Sequence, residues 1–266
     1  MMSRRGFLKF GGLSIAAFGF LGRMFGQSEQ AEASPLRNMV ANVKPLTPED
    51  YAARREKALK LMAERKWDGL FLEAGVNLQY FTSVNWWRSE RTFGAVLNRK
   101  KELIWVCPAF EKERAGELIP EGQEIRTWEE NESPYRLVAG IMKDLGAGDG
   151  LLAVDPSMRS FIYFGLRQEA PQLNLVDGAV ITESCRGIKT AKEIAYMDLA
   201  NQITKLAFRE AFGRLREGMT ARDLSSAIST AHQQMGVSGG GGPQFGPNTA
   251  FPHGSQVIRN LGRGDV

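Results

Sequence analysis

The fold class is decided by the segment LLAVDPSMRSFIYFGLRQEAPQLNLV, which occupies residues 151–176. It opens with the apolar run Leu151–Val154 and closes with Leu173–Val176, and both runs have the length and composition of buried strands. The residues between them predict a helix over Ser157–Glu169. Because strand, helix and strand follow one another directly, the segment predicts an α/β domain.

The same alternation continues upstream. Thr47–Asp50 has the features of a helix start, since a capping threonine is followed by proline in the first turn and by two acidic residues that face the helix dipole. That helix is predicted to reach Lys66, and another is predicted over Glu132–Leu145. Strands are predicted at Leu70–Leu72, Phe93–Leu97, Leu103–Cys107 and Glu124–Thr127. We therefore expect one α/β domain over residues 47–182.

A different pattern indicates a second domain over residues 183–266. Thr190–Glu193 is a capping box that opens a long helix with apolar residues every three or four positions. Glu217–Met219 ends this helix, and Thr220–Asp223 caps another amphipathic helix. Because both apolar faces need a partner surface, the two helices predict the incomplete start of a domain.

The N-terminus has the features of an export signal. The segment SRRGFLK at Ser3–Lys9 pairs two arginines with Phe-Leu-Lys, the pattern read by the translocase that exports folded proteins. The apolar stretch Phe10–Gly22 has 13 residues, which is too short to span a bilayer, and Ala31–Ala33 offers a cleavage site. We predict a twin-arginine signal peptide over residues 1–33, cleaved after Ala33, and a linker over 34–46. The mature protein is then expected in the periplasm or outside the cell, and an uncleaved N-terminal anchor is the alternative.

Composition argues against two further classes of protein. The formal net charge is only +4 over 266 residues and no basic stripe with interleaved aromatics is present, so no nucleic-acid partner is expected. The two cysteines, Cys107 and Cys185, are expected to be buried free thiols. Neither lies at the cleavage site, which excludes a lipid anchor there. The sequence also lacks His-Glu-x-x-His and a close cysteine pair.

The two histidines lie in different surroundings. His232 adjoins the apolar stripe of a predicted helix, which favours a structural role. His253 lies between proline and glycine in the loop Gly246–Gly254 (GPNTAFPHG), and such loops often form sites. From these residues alone, a functional and a structural role for His253 both remain open. The run Ser238–Gly242 lacks the Lys-Ser/Thr of a phosphate loop and is interpreted as flexible or close-packed backbone.

Five short segments carry a resemblance to a known family. They are NLQYFT at Asn77–Thr82, RGIKTAKEI at Arg186–Ile194, EGMT at Glu217–Thr220, GPNTAFPH at Gly246–His253 and GD at Gly264–Asp265. In this order they resemble motifs of the creatinase/aminopeptidase P family, the pita-bread metallohydrolases. The chain departs from the family pattern at Ser83, which replaces a glycine, and at Glu217, which replaces a proline.

The resemblance implies a fold, an activity and partners. The implied fold is a creatinase-type N-terminal α/β domain, with a mixed sheet and flanking helices, followed by the incomplete start of an α+β pita-bread domain. Complete members are Xaa-Pro aminopeptidases or dipeptidases that cleave proline-containing peptides, with homodimers expected. Two divalent metal ions (Mn, Co or Zn), bridged by water or hydroxide, attack the scissile carbonyl. Their ligands are two aspartates, a histidine and two glutamates that follow the Pro-His loop and the Gly-Asp turn.

The resemblance also assigns site residues. His253 would hydrogen bond the substrate or the intermediate, or handle a proton. Trp87 and Arg88 are candidate substrate-binding residues, because the family's N-terminal domains help shape the active-site mouth of the neighbouring subunit. The alternative is that the tryptophans at this point are core residues and Arg88 is solvated.

The metal ligands themselves are not found in this sequence. The only carboxylate after His253 is Asp265, which matches the turn aspartate of the family, and one carboxylate cannot hold two cations. The ligands are expected beyond Val266, so this chain alone is expected to bind no metal and to be inactive. Whether it is itself an enzyme stays open. A creatinase-like hydrolase of C–N bonds in a small substrate and a non-catalytic exported binding protein are the alternatives.

Overall fold

The structure is a computed structural model that describes residues 36–266. The predicted signal peptide, its cleavage site and the first residues of the linker lie outside the described residues. The described residues divide into two compact units, with residues 44–196 in one and residues 36–43 and 197–266 in the other. Within 36–266, no helix is both long and apolar enough to cross a membrane.

The unit over 44–196 is built on a six-stranded mixed sheet. The strands are β1 (Gly69–Glu73), β2 (Gly94–Asn98), β3 (Leu103–Pro108), β4 (Glu124–Trp128), β5 (Leu151–Val154) and β6 (Asn174–Asp177), in the order β4-β3-β2-β1-β5-β6. The pairs β1–β2 and β2–β3 are antiparallel, and the other three pairs are parallel. Each strand lies within a residue or two of its predicted position, which confirms the α/β class and the mixed sheet.

Helices cover both faces of this sheet. They are α1 (Pro48–Glu64), α2 (Val76–Thr82), α3 (Lys112–Leu118), α4 (Pro134–Asp144), α5 (Ser160–Glu169) and α6 (Ala179–Gly187). Side chains of a strand alternate between faces, so Leu70 and Leu72 pack in the core with α1, α2 and α6, while Phe71 packs with α4 and α5. Burial on both faces explains why β1, β2 and β3 have continuous apolar sequences.

The predicted start of α5 is wrong by one turn. The helix begins at Ser160 rather than Ser157, because the backbone N–H and the hydroxyl of Ser157 both donate to Oδ1 of Asp155, at 2.8 Å each. Such an aspartate-centred turn competes with helix formation. Helices α2, α3 and α6 were not predicted.

The second unit contains most of the long helix α7 (Ala191–Phe212), within which the unit boundary falls, and helix α8 (Ala221–Gln234). Both helices confirm the prediction. Thr220 and Asp223 form the predicted capping box, with the Asp223 carboxylate accepting from the Thr220 backbone N–H at 3.0 Å and the Asp223 N–H donating to the Thr220 hydroxyl at 3.1 Å. Ala211, Ile228 and Phe245 form part of a small core in this unit.

Candidate functional site

An open pocket of about 630 Å³ lies beside the carboxyl ends of the parallel strands β1 and β5. Ligand sites of α/β sheets are commonly found at this edge. The charged side chains that line the pocket are both arginines, and the other lining residues are neutral. The lining residues used below are Gly75, Asn77, Trp87, Arg88, Ser157 and Arg186.

A buried carboxylate accepts hydrogen bonds from residues that line the pocket. Asp155 directly follows β5 and is 1% exposed. Its Oδ1 accepts hydrogen bonds from the Asn77 amide and from the hydroxyl of Ser157, at 2.8 Å each. The side-chain oxygen Oδ1 of Asn77 accepts from Nη1 of Arg186 at 2.7 Å. These contacts link the first residues of α2 to the end of α6, so two of the segments that carry the family resemblance meet at this pocket.

The two candidate substrate-binding residues both line the pocket. Trp86 is buried and stacks on Phe93, with ring centroids 3.9 Å apart, whereas the next residue, Trp87, is 87% exposed. Arg88 is not simply solvated: Nε donates to the Ala74 carbonyl at 2.5 Å and Nη2 donates to the Ser157 carbonyl at 3.0 Å. The alternative, that the tryptophans are core residues and Arg88 is solvated, therefore holds for Trp86 but not for Trp87 or Arg88. Their role in substrate binding stays a prediction.

Sequence reasoning missed two buried carboxylates of this region. Glu73 ends β1 and is fully buried, and Asp155 follows β5. Their position in the sequence could have identified them, since each is the first acidic residue at the end of an apolar strand. Their partners, Arg159 for Glu73 and Asn77 for Asp155, lie 86 and 78 residues away, and this separation hides the pairs from any local pattern.

His253 lies in the second unit and is exposed. The preceding residues, Gly246–Ala250, form a 3-10 turn. Buried Asn248 fixes this loop by donating to the Val257 carbonyl at 2.7 Å. Gly246 has φ 55° and packs against Asp265, whose Oδ1 would lie 2.7 Å from a Cβ at this position. Glycine is thus required at the start of the Pro-His loop, because a side chain there would collide with the Gly-Asp turn.

The turn between α7 and α8 belongs to the same assembly of segments. Gly218 donates its N–H to the Leu261 carbonyl at 2.7 Å, and Leu261 donates to the Met219 carbonyl at 2.8 Å. Three of the segments that resemble the family therefore come together within this unit. His232 lies elsewhere in the unit and is buried, with Nδ1 2.8 Å from the Ile228 carbonyl, as expected for a structural histidine.

The described residues do not fit a metal centre. Within residues 36–266, no three His, Cys, Asp or Glu side chains lie close enough together to hold a metal ion. The cysteines are free and buried, as predicted. Burial, helped by Glu111, raises the pKa of the Cys107 thiol to about 12, and burial also raises the pKa of Cys185. Neither thiol is suited to act as a nucleophile or as a thiolate ligand.

Comparisons with known proteins match both parts of the chain. Residues 54–188 match the creatinase/prolidase N-terminal domain, and residues 195–266 match metallopeptidase family M24. An uncharacterized peptidase of Schizosaccharomyces pombe is 28% identical over 229 residues, which are 80% of this chain and 49% of that protein. A Xaa-Pro dipeptidase of Lactobacillus helveticus is 25% identical over 192 residues, covering 70% of this chain and 52% of that protein.

Solved structures show the same fold. The crystal structure of dipeptidase PepE from Mycobacterium ulcerans superposes with a TM-score of 0.69 and 24% identity, covering 84% of this chain and 60% of that one. The chain spans about half the length of the curated relatives it matches. Because the creatinase/prolidase domain match covers half of the sequence, the chain belongs to the family of proteins with this N-terminal domain, and the residues that follow match metallopeptidase family M24.

Proposed function

We propose that the protein is a metal-dependent peptidase that cleaves proline-containing peptides, as a Xaa-Pro aminopeptidase or dipeptidase. The observation that carries the proposal is the loop Gly246–His253, which is held by Asn248 and Asp265 and leaves the His253 ring free to contact a ligand. The similarity to a Xaa-Pro dipeptidase and the M24 match support it.

The described residues can supply only part of the family's chemistry. In the family, two divalent metals (Mn, Co or Zn) activate water and polarise the scissile carbonyl. Since residues 36–266 do not fit a metal pair, we assign His253 only hydrogen bonding to the substrate and to the charge that develops on its carbonyl oxygen. We also propose that residues 1–266 alone bind no metal and are inactive, because the ligand positions of the family follow the Gly-Asp turn.

The test uses the native protein as the cell makes it, with Ala-Pro as the probe. His253→Ala is expected to lower kcat/KM by about 10²–10⁴-fold, the range for loss of one acid–base or charge-stabilising group. The matched control is His232→Gln, which is expected to lower stability because His232 is buried, while the remaining folded enzyme keeps its kcat. Unchanged kinetics in His253→Ala would contradict the assignment.

The same assay separates the alternatives. Hydrolysis of creatine in place of Ala-Pro would identify a C–N hydrolase of small substrates. Absence of both activities, together with absence of bound metal in the native protein, would identify a binding protein.

We further propose that the protein is exported by the twin-arginine translocase and acts as a homodimer. The support is the segment Ser3–Lys9 for export and the family resemblance for the dimer. Mass spectrometry of the protein recovered from the cell envelope is expected to give Ser34 as the first residue. An N-terminus at Met1 in a protein confined to the cytoplasm would overturn the export proposal, and a monomeric mass in solution would overturn the dimer.

A further inference from the structure

The loop between α2 and β2, residues 83–93, contains no helix or strand and carries both Trp87 and Arg88. Apolar packing anchors the loop at Val84, Trp86 and Phe93, which belong to the buried core, and Trp86 stacks on Phe93. An irregular loop must be held by specific contacts if it is to present an exposed tryptophan in one orientation, and such preorganisation favours binding. Several polar contacts of the loop depend on one buried carboxylate.

That carboxylate belongs to Glu73, the last residue of β1, whose side chain is fully buried. Its Oε1 accepts from Nε of Arg159 at 2.6 Å, and its Oε2 accepts from the Arg159 backbone N–H at 2.9 Å. Nη2 of Arg88 lies 3.8 Å from Oε2. A buried carboxylate is strongly unfavourable without such partners, so Glu73 fixes the Arg159 guanidinium by hydrogen bonding and attracts the Arg88 guanidinium by its charge.

The two arginines in turn hold the loop and its surroundings. Nη1 of Arg159 donates to the Ser89 carbonyl, and Nη2 donates to the Arg91 carbonyl at 3.4 Å. Arg88 is itself a loop residue and donates from Nε to the Ala74 carbonyl at 2.5 Å. A guanidinium group is rigid and planar, so fixing one of its edges also fixes the direction of its remaining N–H donors. The loop is therefore held at Arg88, which adjoins Trp87, and at Ser89 and Arg91 on the C-terminal side.

We propose that Glu73 is a positioning residue for substrate binding, which acts through Arg159 and Arg88 to hold Trp87 in its binding orientation. This inference rests on the proposed peptidase function. Glu73 is buried beneath the loop and touches no substrate. Loss of its charge therefore weakens substrate binding in the ground state and the transition state alike, which raises KM and leaves kcat nearly unchanged.

The first experiment compares two substitutions in the native protein, with Ala-Pro as substrate. Glu73→Gln is expected to raise KM about tenfold with kcat within about twofold, the pattern of lost uniform binding. The matched control is Glu169→Gln, which removes the carboxylate of the Arg136–Glu169 pair, 3.1 Å apart and away from the pocket. The control should leave both constants unchanged. An effect of Glu73→Gln on kcat alone would overturn the proposal.

A double-mutant cycle tests whether Glu73 acts through Trp87. Residues that act as one unit are non-additive, so in a Trp87→Ala background Glu73→Gln should add less than about twofold to KM. A further tenfold increase in KM in this background would show that Glu73 does not act through Trp87. If Glu73→Gln does not fold, Arg159→Lys replaces it, since lysine keeps the charge beside Glu73 and loses the fork that holds the loop carbonyls.

Hydrogen exchange gives a readout that needs no turnover. In Glu73→Gln, the amides of residues 85–91 should exchange at least about tenfold faster, while those of β1 should not change, because local opening affects only the released segment. Unchanged exchange in 85–91 would overturn the positioning role even in an active enzyme. Faster exchange in a protein that hydrolyses no Xaa-Pro peptide would instead count against the proposed function and leave the loop restraint intact.

Discussion

Asn77 and Asp155 are joined by a hydrogen bond of 2.8 Å, donated by the Asn77 amide to Oδ1 of Asp155 across 78 residues of sequence. It ties the helix that follows β1 to the turn that follows β5, where the pocket lies. The side-chain oxygen Oδ1 of Asn77 accepts a second hydrogen bond, from Nη1 of Arg186 at 2.7 Å. One buried amide thus connects three elements through both of its polar atoms.

We expect Asn77→Ala to lower the free energy of unfolding by about 2 kcal/mol, because it leaves a buried carboxylate short of a donor. The matched control is Asn174→Ala, which removes an exposed hydrogen bond to the Asp149 carbonyl and should cost no more than about 0.5 kcal/mol. Urea denaturation of the native protein measures both changes. Equal effects of the two substitutions would contradict the importance of the buried amide.

Ser83 is expected to be a strained residue. It has φ 73° at the C-terminal end of α2, in the left-handed region that favours glycine. The family motif has glycine at this position, and this backbone conformation supplies the reason. Ser83→Gly should therefore raise the free energy of unfolding by about 0.5–1 kcal/mol.

The control for this substitution is Ser226→Gly, in the exposed interior of α8, which should lower the free energy of unfolding by about 0.5 kcal/mol because glycine is a poor helix former. Thermal denaturation of both variants gives the comparison. A loss of stability in Ser83→Gly would mean that the serine side chain has a role that outweighs the backbone strain.

The capping box of α8 predicts a pH dependence. Hydrogen bonds from the backbone N–H and then the hydroxyl of Thr220 lower the pKa of Asp223 below its ordinary value. A carboxylate with a lowered pKa stabilises the folded state above its unfolded-state pKa, and this contribution is lost as the pH falls through the folded-state pKa. Asp223→Asn should therefore be less stable than wild type at pH 7, and the difference should shrink in acid.

Stability curves of the two proteins from neutral to acidic pH measure this effect. A difference for Asp223→Asn that stays constant down to the lowest pH would contradict the capping role.

The cysteines are expected to be unreactive in the folded protein. Burial, followed by the effect of Glu111, raises the pKa of Cys107 to about 12, so almost no thiolate exists at pH 8. Cys185 is buried as well. Peptide mass spectrometry after treatment with iodoacetamide at pH 8 should find both thiols unmodified in the native protein and modified after denaturation. Rapid native modification of Cys107 would contradict its burial.

The strands were predictable because each is a short apolar run bounded by polar turns. Helices α2 and α3 were not, since seven residues are too few to establish a helical period. The start of α5 was misplaced because the contact of Ser157 with Asp155 replaces the first helical turn. Local patterns thus give the layers of the fold and miss its short helices.

The candidate site was predictable only in part. Trp87 and Arg88 became candidates through the family resemblance and His253 through its loop, and the roles of all three stay predictions. Glu73 and Asp155 were missed because their partners are distant in sequence, and a carboxylate after a strand has no signature until the chain brings an arginine or an amide to it. Polar contacts between segments that are distant in sequence form only in the folded chain, so no local pattern predicts them.

The central claim is that the protein is a metal-dependent Xaa-Pro peptidase. Hydrolysis of Ala-Pro by the native protein, before and after chelation and then with Mn²⁺, Co²⁺ or Zn²⁺ restored, tests this most directly. We predict hydrolysis that is abolished by the chelator and recovered with at least one of these ions. A native protein that binds no divalent metal and leaves Ala-Pro intact under all of these conditions would contradict the claim.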